Sequence, residues 1–299
     1  MPRFNLAERL IDPNSPDRRP RRAAYALPTF FTAGNILLGF LAIMETFQGA
    51  IGYATTPAEA IKHFELAAIM IGISVFLDGL DGRIARMTNT VSDFGREMDS
   101  LADVISFGIA PGVLAFAWGV QFVDWSVIPD ATTRLHMMRG SYFLTFLFVV
   151  CGAARLARFN VAVNPMPTNP GRPGRKYFVG LPIPAAAGMV ASVVYALDSQ
   201  PVRQWPGAVL WMALMGLLSF LMVSTWRYRS FKDFNLLSPR SFKSVIGLAS
   251  FIYLILYFSQ HVLLAMATTY VASGILVRIG GLMQRNLKSP PPAPETQVG

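Results

Sequence analysis

Cysteine occurs once, at Cys151, so the chain can form neither an internal disulfide nor a cysteine metal cluster. Histidine occurs three times, and His63, His136 and His261 stand too far apart for zinc-ligand spacing. No G-x-S-x-G elbow marks a serine nucleophile, and no G-x4-G-K-[ST] order marks a phosphate loop. Charge is sparse, with 14% Asp, Glu, Lys and Arg against 53% hydrophobic residues over 299 positions, which argues against a soluble domain. No repeat of about 20–50 residues is visible. The N-terminus lacks the charged, apolar and cleavage-site order of a secretory leader, so the first apolar segment is expected to be retained.

The apolar residues instead come in blocks of about 17–25, enough to cross roughly 30 Å of hydrocarbon as helices. This predicts an all-α polytopic membrane protein with about eight transmembrane helices, at 31–50, 65–86, 98–120, 141–161, 181–198, 207–226, 243–259 and 262–281. Only Gln260 and His261 divide the last two, and one long helix there would make seven. The expected organisation is a basic cytoplasmic segment over 1–24, a membrane domain over 25–286, and a disordered Pro-rich tail over 287–299.

The net charge of +9 invites a nucleic-acid reading, but its distribution argues against one. With eight spans the outside loops hold only Lys62, Arg134, Arg139 and Arg203 of 26 basic residues. That is the positive-inside pattern, with both termini cytoplasmic in an inner-type membrane. "RRPRR" at 18–22 and "RYRSFK" at 227–232 then meet anionic headgroups, as does the loop "NPMPTNPGRPGRK" at 164–176. No nucleic acid is expected as a partner.

Against this background "DGLDGRIARMTNTVSDFGREMDSLAD" at 78–103 stands out. Residues three and four apart share a helix face. Asp78, Asp81, Gly82 and Ala85 therefore line one stripe, and Gly95, Asp99 and Asp103 line another beyond a short turn. Each Asp costs about 2.5–3.5 kcal/mol at a bilayer centre, so four need strong compensation. Arg83, Arg86 and Arg96 are too few to supply it if only some face the gap. Oxygen-rich ligation selects Mg²⁺ or Mn²⁺, and two such ions would balance four carboxylates. Gly82, Ala85 and Gly95 leave room for a flat group, and Arg86 offers a planar fork to phosphate oxygens. The stretch reads as a two-metal centre for displacement at phosphorus, with cytoplasmic access. Structural Asp–Arg pairing and an ion or proton path remain the bland and the non-enzymatic alternatives.

As a pattern, D-x2-D-G-x2-A-R-x8-G-x3-D-x3-D from Asp78 to Asp103 resembles the CDP-alcohol phosphatidyltransferase family at every fixed position. The resemblance implies a six-helix family core, here with two more helices. It also implies a homodimer, and transfer of a phosphatidyl group from a CDP-linked lipid to an alcohol with release of CMP. Asp78, Asp81 and Asp99 would be metal ligands. Asp103 would be the general base and also touch the second metal. Gly82, Ala85 and Gly95 would take the cytidine part and Arg86 the diphosphate. The flanks "GREMDSLADVISFGIAP", "ARLARFN" and "FVGLPIPAAA" resemble the phosphatidylserine synthase branch, which implies CDP-diacylglycerol and L-serine as substrates.

A serine carboxylate needs a cation or several donors. Arg155 and Arg158 share a face, with Asn160 beyond them, and Ser106 lies one turn past Asp103. Positive-inside anchoring explains the arginines equally well, helix packing explains Ser106, and a phosphate-bearing acceptor such as glycerol 3-phosphate or inositol phosphate would suit the same arginines. Thr32 and Asn35 at the entry of the first span either contact the nucleotide or hold helices together. A membrane prenyltransferase is disfavoured, because its two Asp-rich motifs normally lie far apart in the chain.

Overall fold

In a computed structural model, the described residues are 19–88, 93–161, 177–229 and 242–287. The expected Pro-rich tail at 287–299 except Leu287, most of the N-terminal segment (1–18) and the basic loop at 164–176 lie outside them. The chain forms α1 (Arg19–Gly52), α2 (Pro57–Thr88), α3 (Asp93–Asp103), a π-helical turn (Val104–Ile109), α4 (Ala110–Gly119), α5 (Ala131–Val161), α6 (Ile183–Ala196), α7 (Trp205–Val223) and α8 (Phe242–Leu287). A short antiparallel pair, β1 (Tyr177–Val179) with β2 (Arg227–Arg229), completes it.

Among the described residues, six helices are long and apolar enough to cross a membrane, and α6 is a shorter apolar helix of 14 residues. A polytopic helical membrane protein is therefore what this sequence makes. One expectation is corrected: the architecture is not purely helical, because β1 and β2 form a short antiparallel pair. The last two expected spans, 243–259 and 262–281, both fall within α8, where the break is non-helical backbone at Phe258 (φ −131°, ψ 36°) rather than a loop at Gln260 and His261.

Packing follows the small residues, since lipid gives no hydrophobic drive for helices to associate. α1 and α2 form a hairpin turned by Thr56, whose amide donates to Gly52 O at 2.8 Å. They close on each other at Gly49, where a Cβ would lie 3.1 Å from the Phe64 ring and from Ala60 O. The run α3–π–α4 is the most buried of the spans and occupies the centre of the bundle. Its π turn lies against α1, where a Cβ on Gly39 would stand 2.5 Å from Ser106 Oγ and 2.8 Å from Ser106 Cα. The core of Phe64, Phe107, Leu114, Trp118, Phe148 and Leu218 fills the space between these helices.

The sheet pins one end of the bundle. Gly180 follows β1 with φ +78°, and its amide donates to Trp226 O at 2.7 Å. A side chain there would meet Met222 O at 2.5 Å, so the left-handed turn and the close approach both require glycine. Leu181 then donates to Leu221 O at 2.9 Å, setting α6 beside α7. At the other end Asp130 caps α5 through the amide of Thr133 at 2.8 Å.

Candidate active site

Asp78 lies in the last third of α2, and Asp99 and Asp103 lie on α3, one helical turn apart. A carboxylate oxygen from each of the three lies within 4.8 Å of the others. Asp103 is buried at 8% exposure, and Asp78 and Asp99 are half-buried. Asp103 is the last residue before the π turn, a backbone irregularity common at functional sites. Three carboxylates this close repel by roughly 3–4 kcal/mol per pair at an effective dielectric near 20. A hard divalent cation, with oxygen ligands about 2.0–2.6 Å away, fits a donor set of this spread and chemistry. Asp81 is one turn from Asp78 on the same helix, but its side chain lies outside the described ones, as do those of Gly82, Ala85 and Arg86. Gly95 is half-buried, four residues before Asp99.

Beside the aspartates lies the C-terminal end of α5. Arg155 is only 9% exposed and stands within electrostatic reach of Asp103. Its Nε has no hydrogen-bond partner among the described residues. Arg158, one turn on, has structural work: Nη1 donates to Val223 O at 3.1 Å and Nη2 to Val179 O at 3.5 Å, tying α5 to α7 and β1. Asn160 donates to Ser100 Oγ at 2.9 Å, which joins α5 to α3 next to Asp99. Ser106 faces the other way. Its hydroxyl donates to Asn35 O at 2.8 Å, and the Asn35 side-chain oxygen accepts from Ser74. Both Asn35 and Ser106 are buried and lock α1, α2 and the π turn together behind Asp103.

Two residues that carried no signal in the sequence also reach this end. Tyr228 of β2 is fully buried, and its ring lies 5.6 Å from that of Tyr270 on α8. Burial pushes the Tyr228 phenol up to about 12.

Residues 25–219 match the CDP-alcohol phosphatidyltransferase family. The chain belongs to that family. Among curated proteins it is similar to a CDP-diacylglycerol–serine O-phosphatidyltransferase of Helicobacter pylori, 38% identical over 214 residues, covering 71% of this chain and 76% of that one. The protein of the same name from Bacillus subtilis is 31% identical over 206 residues, 69% of this chain and 91% of its own. An archaetidylserine synthase of Methanothermobacter thermautotrophicus is 34% identical over 169 residues, 56% and 57% of the two chains. The family match takes in the Asp78–Asp103 stretch and Arg155, whereas Tyr228 and Tyr270 lie beyond it.

Proposed function

We infer that the chain transfers the phosphatidyl group of CDP-diacylglycerol to L-serine, giving phosphatidylserine and CMP. The observation that carries this is the convergence of Asp78, Asp99 and Asp103 within 4.8 Å beside the buried Arg155. The serine assignment draws on the names of the relatives, and Arg155 supports it on chemical grounds. A buried guanidinium holds a carboxylate through a planar, two-pronged contact.

Asp78, Asp81, Asp99 and Asp103 would hold Mg²⁺ or Mn²⁺, two ions by charge balance. When bound, such ions neutralise the diphosphate and stabilise the departing CMP. Gly82, Ala85 and Gly95 leave room for the cytidine, Arg86 takes diphosphate oxygens, and Asn35 holds α1 beside them through Ser74 and Ser106. Arg155 anchors the serine carboxylate, with Arg158, Asn160 and Ser106 keeping the surrounding helix ends in place. Asp103 accepts the proton of the serine hydroxyl as its oxygen bonds to the phosphatidyl phosphorus. The bond from that phosphorus to the CMP oxygen breaks, and the proton stays on the carboxyl until release. No covalent enzyme intermediate is needed.

The membrane domain spans 25–286, crosses eight times, and places both termini and the site on the cytoplasmic side of the inner membrane as a homodimer. Support for eight passes comes from α8. Gln260 donates to Asp198 at the end of the bundle away from the aspartates, while Gly274 lies against Tyr228 at the aspartate end. A straight helix back to Phe242 would lie roughly 45 Å from the end of β2 at 1.5 Å rise per residue. That equals the full extended reach of the link between them, about 3.3–3.6 Å per residue. A reversal at Phe258 removes the difficulty.

The test is CMP release by purified protein from CDP-diacylglycerol with Mn²⁺ or Mg²⁺, with and without L-serine. Serine-dependent release with phosphatidylserine formed is expected. Release only with glycerol 3-phosphate, inositol phosphate or another alcohol would replace the acceptor. Ion flux across sealed vesicles without CMP release would replace the enzyme by a transporter.

A further inference from the structure

Asp99 and Asp103 ride on α3, while Asp78 stands on a different helix, α2. α3 rests on α1 and runs on into the π turn, and Phe94 and Leu101 on its outer side are exposed. Carboxylate oxygens within 4.8 Å repel one another whenever no cation lies between them, and that repulsion pushes α3 away from α2. A hold on α3 from outside the aspartates opposes the push.

The C-terminal end of α5 supplies such a hold. The Asn160 amide nitrogen donates to Ser100 Oγ at 2.9 Å, across 60 positions of chain. Ser100 is next to Asp99 in the chain and three residues before Asp103. Its hydroxyl proton goes to Arg96 O at 3.0 Å, one helical turn back, so the oxygen is presented to Asn160 in a fixed direction. Asn160 is itself on a held segment. Two residues earlier, Arg158 donates to Val223 O at 3.1 Å and to Val179 O at 3.5 Å. The contacts therefore run from α7 and β1 through the end of α5 to the helix that carries Asp99 and Asp103.

We propose that Asn160 is a positioning residue for the metal centre: through Ser100 it keeps α3 docked, and so sets how tightly Asp78, Asp99 and Asp103 bind a divalent cation. This rests on the reading of those aspartates as metal ligands. When only a fraction of molecules has α3 docked, the apparent dissociation constant of the ion rises by the inverse of that fraction. Excess ion restores docking, so losing the tie shows in metal affinity rather than in turnover of the loaded enzyme. An amide that touched the acceptor would show instead in the KM for serine.

The experiment titrates Mn²⁺ into wild type, Asn160→Ala, Ser100→Ala and the double variant in detergent, without substrates, and reads the melting temperature. Both replacements put a good helix former into a helix, so the helices themselves are kept. The measured quantity is the Mn²⁺ concentration needed for a given rise above each variant's metal-free melting temperature. It should increase about fivefold in either single variant, the effect of losing one neutral hydrogen bond. The double variant should show no more than either single one, because both changes remove the same bond. At saturating Mn²⁺, the rate of CMP release and the KM for serine should stay within about twofold of wild type. An unchanged Mn²⁺ response in Asn160→Ala would overturn the proposal. So would effects that multiply in the double variant, since the two residues would then act separately. A raised serine KM with Mn²⁺ binding unchanged would also overturn it and put Asn160 in the acceptor pocket. Wild-type protein whose melting does not respond to Mn²⁺ would overturn the metal reading itself, and the proposal with it.

Discussion

Gly39→Ala tests whether the contact between α1 and the π turn holds Asp103 in place. The added methyl would stand 2.5 Å from Ser106 Oγ and 2.8 Å from Ser106 Cα. Carbon atoms rest at about 3.5–4.0 Å, so the backbones must part by roughly 1 Å. Rotating the serine side chain relieves only the first clash, because the second is with the backbone. Overpacking of this kind costs about 1–3 kcal/mol. The Ser106–Asn35 hydrogen bond, worth about 1 kcal/mol, stretches with it. Asp103 lies three residues before Ser106 on the same rigid run, so it moves too. A displacement near 1 Å at a reacting group can cost about a hundredfold in rate. Gly39→Ala should therefore lower the melting temperature in detergent by several degrees and cut CMP release by tenfold or more. Ser106→Ala should cost only the hydrogen bond, and adding it to Gly39→Ala should not restore the rate. Wild-type turnover and melting in Gly39→Ala would refute the idea that this contact positions the base.

Asn in place of Asp78, Asp99 or Asp103 should abolish the rise in melting temperature that Mn²⁺ gives the wild-type protein, and reduce CMP release by at least about a hundredfold; an undiminished thermal response would remove that residue from the metal set. Arg155→Lys keeps the charge but loses the fork, so serine KM should rise while the KM for CDP-diacylglycerol holds, as read from separate substrate titrations. Tyr228 predicts a pH effect whose sign is fixed by burial. Its folded-state value of about 12 lies above the ordinary 10, so its contribution is intact below pH 10 and is lost as pH rises towards 12. Melting curves across that window should flatten in Tyr228→Phe. At neutral pH the same variant should be as stable as wild type or more so, because the buried hydroxyl has no hydrogen-bond partner among the described residues.

The aspartate centre was legible because its signal is local. Asp99 and Asp103 sit four apart on one helix, and Asp78 lies on the helix just before it in the chain, so the three fall within one short stretch. The pairing of Arg155 and Arg158 on one helix face was legible too, but the sequence did not show that Arg158 donates to Val223 O and Val179 O while Arg155 is buried. Asn35 and Ser106 were open between substrate contact and packing, and Gly39 decides in part, since its missing side chain draws the Ser106 backbone onto α1. The sheet left no trace, because three-residue strands some 50 positions apart have no periodicity to detect. The start of α6 at Pro182 was legible, because proline opens a helix readily, whereas its end before the positive φ of Asp198 and Ser199 was not marked in the apolar run at 181–198.

The acceptor side shows why the remainder stayed hidden. A metal and a diphosphate impose charge and spacing that must be met by residues close together on two helices, so their requirements are written compactly in one stretch of chain. An acceptor carboxylate requires only one well-held cation, and the hold can come from any element that reaches it. Here the candidate cation, Arg155, is on α5, Tyr270 within its electrostatic reach is on α8, and the ring packed against Tyr270 is Tyr228 on β2. Each looks ordinary in its own segment: an arginine near a helix end, and two tyrosines near apolar helices. What distinguishes them is mutual position, set by Gly180 turning β1 into α6 and by Gly274 admitting Tyr228. If Arg155 holds the acceptor's carboxylate as proposed, acceptor preference can change through that arginine and its neighbours while the aspartate stretch stays fixed. Arg155→Lys should weaken serine affinity without shifting Mn²⁺ affinity, and a joint loss of both would show that the two halves of the site are not separable in this way.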